Sequence, residues 1–111
     1  CKGSIQSGYE SACHILSLDP RPTAIVAMSD IAAIGAMIAT KELGLEIPED
    51  VAVAGFDDIQ ESMLVSPRLT TIHQPDRDKG AEAARMVMNM LDGSSGQHIK
   101  LPYQLVVRES T

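Results

Sequence analysis

Positive charge is scarce in this chain. Nine lysines and arginines stand against fifteen aspartates and glutamates, a formal net charge of −6 at pH 7. A surface that held DNA phosphates would need the opposite balance, so the chain by itself is a poor nucleic-acid binder. An acidic balance speaks mainly for solubility. Cysteine is scarce too: Cys1 and Cys13 are too few for a disulfide framework, and no CxxC spacing offers a metal site. Cys13 falls on an apolar helical stripe and reads as a buried thiol. A cytoplasmic setting is expected, and the first residues carry no signal-peptide features. Long apolar runs are also missing. The stretch from Ala24 to Thr40 is mostly apolar, but Ser29-Asp30 splits it, and neither half reaches the roughly 20 residues needed to cross a bilayer. No membrane contact is expected.

Catalytic signatures are absent as well. There is no GxxxxGK[ST] or GxGxxG loop, no nucleophile elbow and no histidine-based metal pair. His14, His73 and His98 stand far apart in sequence and read as ordinary surface or core histidines. The expectation is no enzyme, no catalytic residue, no cofactor and no metal.

What the chain does have is enough apolar material, 44% of 111 residues, to fill a core in one domain or in part of a larger one. Tyr9, Ala12, Cys13 and Leu16 follow helical spacing within residues 4–17, and SLDPRP then breaks the helix. Ala24 to Met28 is apolar without alternation, as in a strand covered on both faces. Ser29 or Asp30 can cap the next helix. That helix is rich in small residues (Ala32, Ala33, Gly35, Ala36, Ala39), which let another surface come close, and Gly44 stops it. Val51 to Gly55 reads as a second buried strand, Ile59 to Val65 as a short helix or irregular segment, and Leu69 to Ile72 as a third strand. The longest amphipathic helix opens at Pro75-Asp76, with Asp76 and Asp78 near its positive end and Ala84, Val87, Met88 and Leu91 on one face. A final strand spans roughly Tyr103 to Val107. Alternating helices and strands on short links predict a layered α/β fold with a mostly parallel sheet.

Open parallel sheets bind ligands beyond the carboxyl ends of their strands. Ser29-Asp30 and Asp57-Asp58 lie there, and neither aspartate pair has a basic neighbour in sequence. A carboxylate of that kind suits neutral donors, such as the hydroxyls of a sugar or a ribose. Asp30 and Asp58 read first as caps of the segments that follow, with ligand contact second. Asp57 precedes the turn and is harder to explain as a cap. A competing use of Asp57 and Asp58 is to hold Mg²⁺ in an enzyme.

The run PTAIVAMSDIAAIGAMIATKELGLEIPEDVAVAGFDDI (Pro22 to Ile59), then SPRLTTIHQP (Ser66 to Pro75) and the terminal LPYQLVVREST resemble the lactose/galactose repressor (LacI/GalR) family in order and spacing. The resemblance implies a type I periplasmic-binding-protein-like fold, in which two Rossmann-like subdomains, each a three-layer α/β/α stack, close on an effector. Residues 1–74 would be the C-terminal subdomain without its first strand. Residues 75–98 would be a crossover and a helix packing on an absent N-terminal subdomain, leaving Ala84, Met88 and Leu91 uncovered. Residues 99–111 would supply the final strand. By position, Asp57 matches the family's effector-binding aspartate, Ser29 a position where relatives carry an asparagine, and Gln74 a crossover beside the pocket. Gly3 stands where relatives carry an aromatic that stacks on the effector. Ile31, Ile34, Ile59, Met63 and Leu64 are the candidate dimer contacts.

The implied partners are a carbohydrate or nucleoside-type effector, a second copy of the chain, and operator DNA through a helix-turn-helix outside this sequence. The implied function is effector sensing in a transcriptional regulator. A periplasmic sugar-binding protein of transport or chemotaxis is the alternative, and a magnesium-dependent enzyme comes third.

Overall fold

Two serines start the first helix. The Ser7 N–H donates to Ser4 Oγ and the Ser4 N–H donates to Ser7 Oγ, both at 3.1 Å, so each satisfies a backbone donor that the helix leaves open. The structure is a computed structural model describing residues 3–111, the side chain of Asp76 excepted. The readings of Cys1 and of the Asp76 carboxylate therefore lie outside the described residues.

The elements run α1 (Ile5–Leu16), β1 (Ala24–Val26), α2 (Asp30–Glu42), β2 (Ala52–Ala54), a 3-10 turn (Gln60–Met63), β3 (Thr71–His73), α3 (Asp76–Leu91) and β4 (Gln104–Val106). No helix among the described residues is long and apolar enough to cross a membrane. The chain divides into two compact units, Cys1–His73 with Leu105–Thr111, and Gln74–Gln104.

In the first unit β1 and β2 pair in parallel, Ile25 opposite Val53. Parallel bridges Ala54–Thr70 and Asp57–His73 carry the same direction on to β3, which β4 joins. The core gathers Ala12 and Leu16 of α1, Ala33, Ala36 and Met37 of α2, and Ile25, Val53 and Leu69. Ser110 stitches the strands from the end of the chain: its Oγ donates to Val53 O at 2.6 Å and accepts from the Thr70 N–H at 2.8 Å.

One strand departs from expectation. The run Ala24 to Met28 was expected to be covered on both faces, yet only Ile25 is buried, while Val26 is 82% and Met28 79% exposed. The helices pack on the Ile25 side, and β2 is the one strand paired with β1 among the described residues.

The small residues of α2 are used inside the chain. A Cβ on Gly35 would stand 2.1 Å from Ile5 O, and one on Gly8 2.1 Å from Ala32 O, so the backbones of α1 and α2 touch. Tyr9 fastens the same pair further along. Its hydroxyl donates to Glu42 Oε2 at 2.6 Å, and this bond, with Cys13 beside it, pushes the phenol up to about 12. Gly44, at φ +74, ends α2 as expected. Its N–H reaches Lys41 O, and the Leu45 N–H reaches Thr40 O.

Asp30 does not cap its own helix; Ser29 does, accepting from the Ala32 N–H at 3.3 Å. The Asp30 side chain is wholly buried and accepts from Thr71 Oγ1 (2.5 Å), Ser62 Oγ (2.6 Å) and the Ile59 N–H (3.0 Å). It thereby ties the start of α2 to β3 and to the 3-10 turn.

In the second unit, α3 leaves Val87, Met88, Met90 and Leu91 more than half exposed. The expected boundary at residue 99 falls inside this unit, because residues 99–103 form no strand and pairing with β3 starts only at Gln104.

Two expectations follow for thermal or denaturant unfolding. Gly8→Ala and Gly35→Ala should each cost about 1–3 kcal/mol or more by forcing the helices apart. Gly80→Ala, whose Cβ would meet nothing within 4 Å, should instead stabilise α3 by about 0.5–1 kcal/mol. Equal effects at the three positions would contradict the close approach. Asp30→Ala strands buried hydroxyl and amide donors and should cost at least about 3 kcal/mol; a loss below about 1 kcal/mol would remove Asp30 as the tie.

Candidate functional site

The carboxyl ends of β1 and β2 meet in one edge because their loops are bonded together. The Ala27 N–H donates to Ala54 O at 2.9 Å, the Asp30 N–H to Phe56 O at 2.8 Å, and the Asp57 N–H to Ile72 O at 3.0 Å. Ser29 and Asp57 therefore stand on a common edge, both half-buried. Gly3 borders it: a Cβ there would lie 3.7 Å from Ser29 Oγ. Gln74 follows β3 directly and opens the second unit, where its Oε1 accepts from Lys79 Nζ at 3.2 Å.

Asp57 and Asp58 occupy unusual backbone. Their φ angles are +116° and +55°, in the half of the map that costs a non-glycine residue about 1–3 kcal/mol and that clusters at binding sites. A turn of this kind lets two consecutive carboxylates take different directions, and the two have different surroundings.

Asp58 was expected to cap the following segment, and it does not: Ile59 precedes the 3-10 turn, with no side chain capping it. The Asp58 carboxylate instead binds Arg108 Nη2 through Oδ1 (2.5 Å) and His73 Nδ1 through Oδ2 (3.0 Å), with its side chain 18% exposed. Burial pushes its carboxyl up, but the hydrogen bond and charge of Arg108, joined by His73, outweigh this and hold it below the ordinary carboxylate value. Arg108 is itself fixed, its Nη1 on Leu69 O and its N–H on Thr70 Oγ1, both at 2.8 Å.

Neither aspartate pair has a basic neighbour in sequence, but in space Asp58 has one, fifty residues on. A carboxylate engaged by Arg108 and His73 is a poor Mg²⁺ ligand. Among the described residues no three histidine, cysteine or acidic side chains are placed to hold a metal.

Sequence reading missed Ser62, Thr71, His73 and Arg108. The available signal was polar: Thr70-Thr71 inside an otherwise apolar strand, and an arginine directly after Val106-Val107. A cavity of about 150 Å³ in the first unit reaches Gly3 and Met28, beside this edge. It runs between α1, β1 and α2 with mostly apolar walls (Ala12, Ile15, Ile25, Met28, Ala36), chemistry unsuited to hydroxyls.

Of the candidate dimer contacts, Met63 and Leu64 are 55% and 74% exposed. Ile31 and Ile59 are half-buried. Ile34 is turned into the chain's own core, which leaves it little surface for a partner.

The geometry can be set beside known proteins. A family model described as a periplasmic binding protein-like domain matches residues 2–111. The HTH-type transcriptional repressor PurR of Salmonella arizonae is 39% identical over 107 residues, covering 95% of this chain and 31% of that protein. The chain thus spans about a third of the length of the curated relatives it matches. Among solved structures, the lac repressor dimer bound to operator and the anti-inducer ONPF superposes with a TM-score of 0.87 at 34% identity, over 97% of this chain and 38% of that one. A LacI family transcriptional regulator from Enterococcus faecium, solved with bound ribose, gives 0.83 at 31% identity, over 97% and 40%. These matches agree with the α/β architecture, and the chain belongs to the periplasmic binding protein-like domain family, in its LacI/GalR branch.

Proposed function

We propose that this chain is the effector-sensing and self-associating part of a LacI-type transcriptional regulator, and that Asp57 accepts hydrogen bonds from the hydroxyls of a sugar or nucleoside. The observation that carries the reading is the left-handed turn at the carboxyl end of β2, which gives Asp57 and Asp58 separate roles. With Asp58 committed to Arg108, Asp57 is the acidic residue of the turn assigned to the effector. An acceptor at a strand end suits a neutral polyhydroxylated molecule, and charge-assisted bonds to it strengthen where water is excluded.

The Enterococcus relative with bound ribose supports that chemistry. The matching relatives named above are regulators, which supports regulation over transport and leaves catalysis without support. Ser29, with its short hydroxyl at the N-cap, and Gln74, at the start of the second unit, are assigned lesser roles toward the effector. Residues 1–74 and the final strand act as the C-terminal subdomain. The uncovered apolar face of α3 (Met88, Leu91) packs on the N-terminal subdomain of the intact protein. Operator DNA is read by a helix-turn-helix outside this chain, and effector binding shifts the closure angle that sets the fit to DNA.

The test is made on the intact regulator, with operator binding measured against D-ribose, sucrose and a panel of nucleosides. Asp57→Ala should weaken the response at least about tenfold, the equivalent of losing one charge-assisted bond, with operator binding retained. An unchanged response would remove Asp57 from the pocket. Self-association is read separately by sedimentation. Leu64→Asp together with Met63→Asp should dissociate the dimer at micromolar concentration, and an intact dimer would move the interface away from the 3-10 turn.

A further inference from the structure

Two consecutive non-glycine residues with positive φ do not hold that backbone by themselves; surrounding bonds must over-determine it. At the turn Asp57 is bridged to His73, its N–H donating to Ile72 O, and the Asp58 N–H donates to Thr71 Oγ1 at 3.3 Å. The adjoining Ile59 N–H is held by Asp30 Oδ2 at 3.0 Å, and the Asp58 side chain adds a restraint of its own, with one oxygen on Arg108 and the other on His73.

We propose that Asp58 is a positioning residue: its carboxylate, stretched between Arg108 and His73, holds the 57–58 turn in left-handed backbone and so sets the direction of Asp57. The consequence for effector binding rests on the reading of Asp57 given above, while the cause stands on geometry alone. The two anchors differ in burial, the His73 side chain being 52% exposed. Arg108 is 12% exposed at its side chain and bonded on two further sides, so it is a fixed post. His73 is the last residue before the chain leaves the first unit at Gln74, and Arg108 comes three residues after the chain re-enters it at Leu105. Asp58 thus grips both strands through which the units are joined covalently. Any shift of either strand is felt at the Asp57 turn, and a ligand that reorients Asp57 pulls on both. Such a bond array couples a site to a hinge without contact between effector and hinge.

The experiment uses the intact protein without ligand and follows backbone amide exchange and the three-bond HN–Hα coupling of Asp57, which reports its φ. Three variants are compared with the parent: Asp58→Gly, Arg108→Met and the double variant. Glycine favours left-handed backbone, so Asp58→Gly removes the clamp while easing the turn itself. Exchange at residues 57–59 should rise at least about tenfold in each single variant, with α1 and α2 amides unchanged and the Asp57 coupling displaced from the parent value in Arg108→Met. The effect of the double variant should fall short of the product of the two singles, because both substitutions remove the same Asp58–Arg108 bond.

Parent-like exchange at 57–59, or effects that multiply in the double variant, would overturn the proposal. If Arg108→Met does not fold, Asp58→Asn is held to the same readouts. Since no ligand is involved, this result stands apart from the effector test: an unchanged response in Asp57→Ala sinks the effector reading alone.

Discussion

The side chain of Asp30 is the point on which the carboxyl edge of the sheet depends. Three donors reach it from two other segments, the Ile59 amide and Ser62 hydroxyl around the 3-10 turn and the Thr71 hydroxyl on β3. Gly55 has to be a glycine for this, since a Cβ there would lie 2.2 Å from Asp30 Oδ1. A carboxylate without surface exposure is tolerated in a core only when its lone pairs are filled. The arrangement does that while fixing the start of α2, the loop after β2 and β3 relative to one another.

On that base the two aspartates of the GFDD turn divide the work. Asp58 faces inward and spends its charge on Arg108 and His73. Asp57 occupies backbone that few residues adopt, at a strand end where parallel sheets receive ligands. The electrostatic result is a turn with one carboxylate paired to a buried arginine and one that the proposed reading gives to the effector. That pairing favours a neutral hydroxylated molecule over an anion, and it gives a physical basis for the proposed sensing role in a LacI/GalR chain.

Close helix packing has its own consequence for where surfaces remain. Because α1 takes up the small-residue face of α2 through Gly8 and Gly35, that face is no longer available to a second copy. Exposed apolar side chains remain at Ile38 on α2, at Leu43 after it, and at Met63 and Leu64 at the end of the 3-10 turn. The exposed Val26 and Met28 and the apolar row on α3 are further uncovered surfaces, each in its own unit.

Much of the fold was legible from the residues in order. The stripe Tyr9-Ala12-Cys13-Leu16, the Ser29 cap and the Gly44 stop specify their helices within a turn or two of chain, and the apolar runs at Ile25 and Val53 specify strands. Such features depend on neighbours three or four residues away, so the sequence alone determines them. The placement of Ser29 and Asp57 after their strands is fixed in the same local way. The fates of Asp30 and Asp58 are not. Both read as caps, yet Asp30 is held from positions up to 41 residues distant and Asp58 from 50. The one-sided burial of β1 and the inward turn of Ile34 are likewise set by what packs against them. Tertiary structure alone decided these, because a buried bond is specified by both of its partners, and the chain brings those partners together only when it folds.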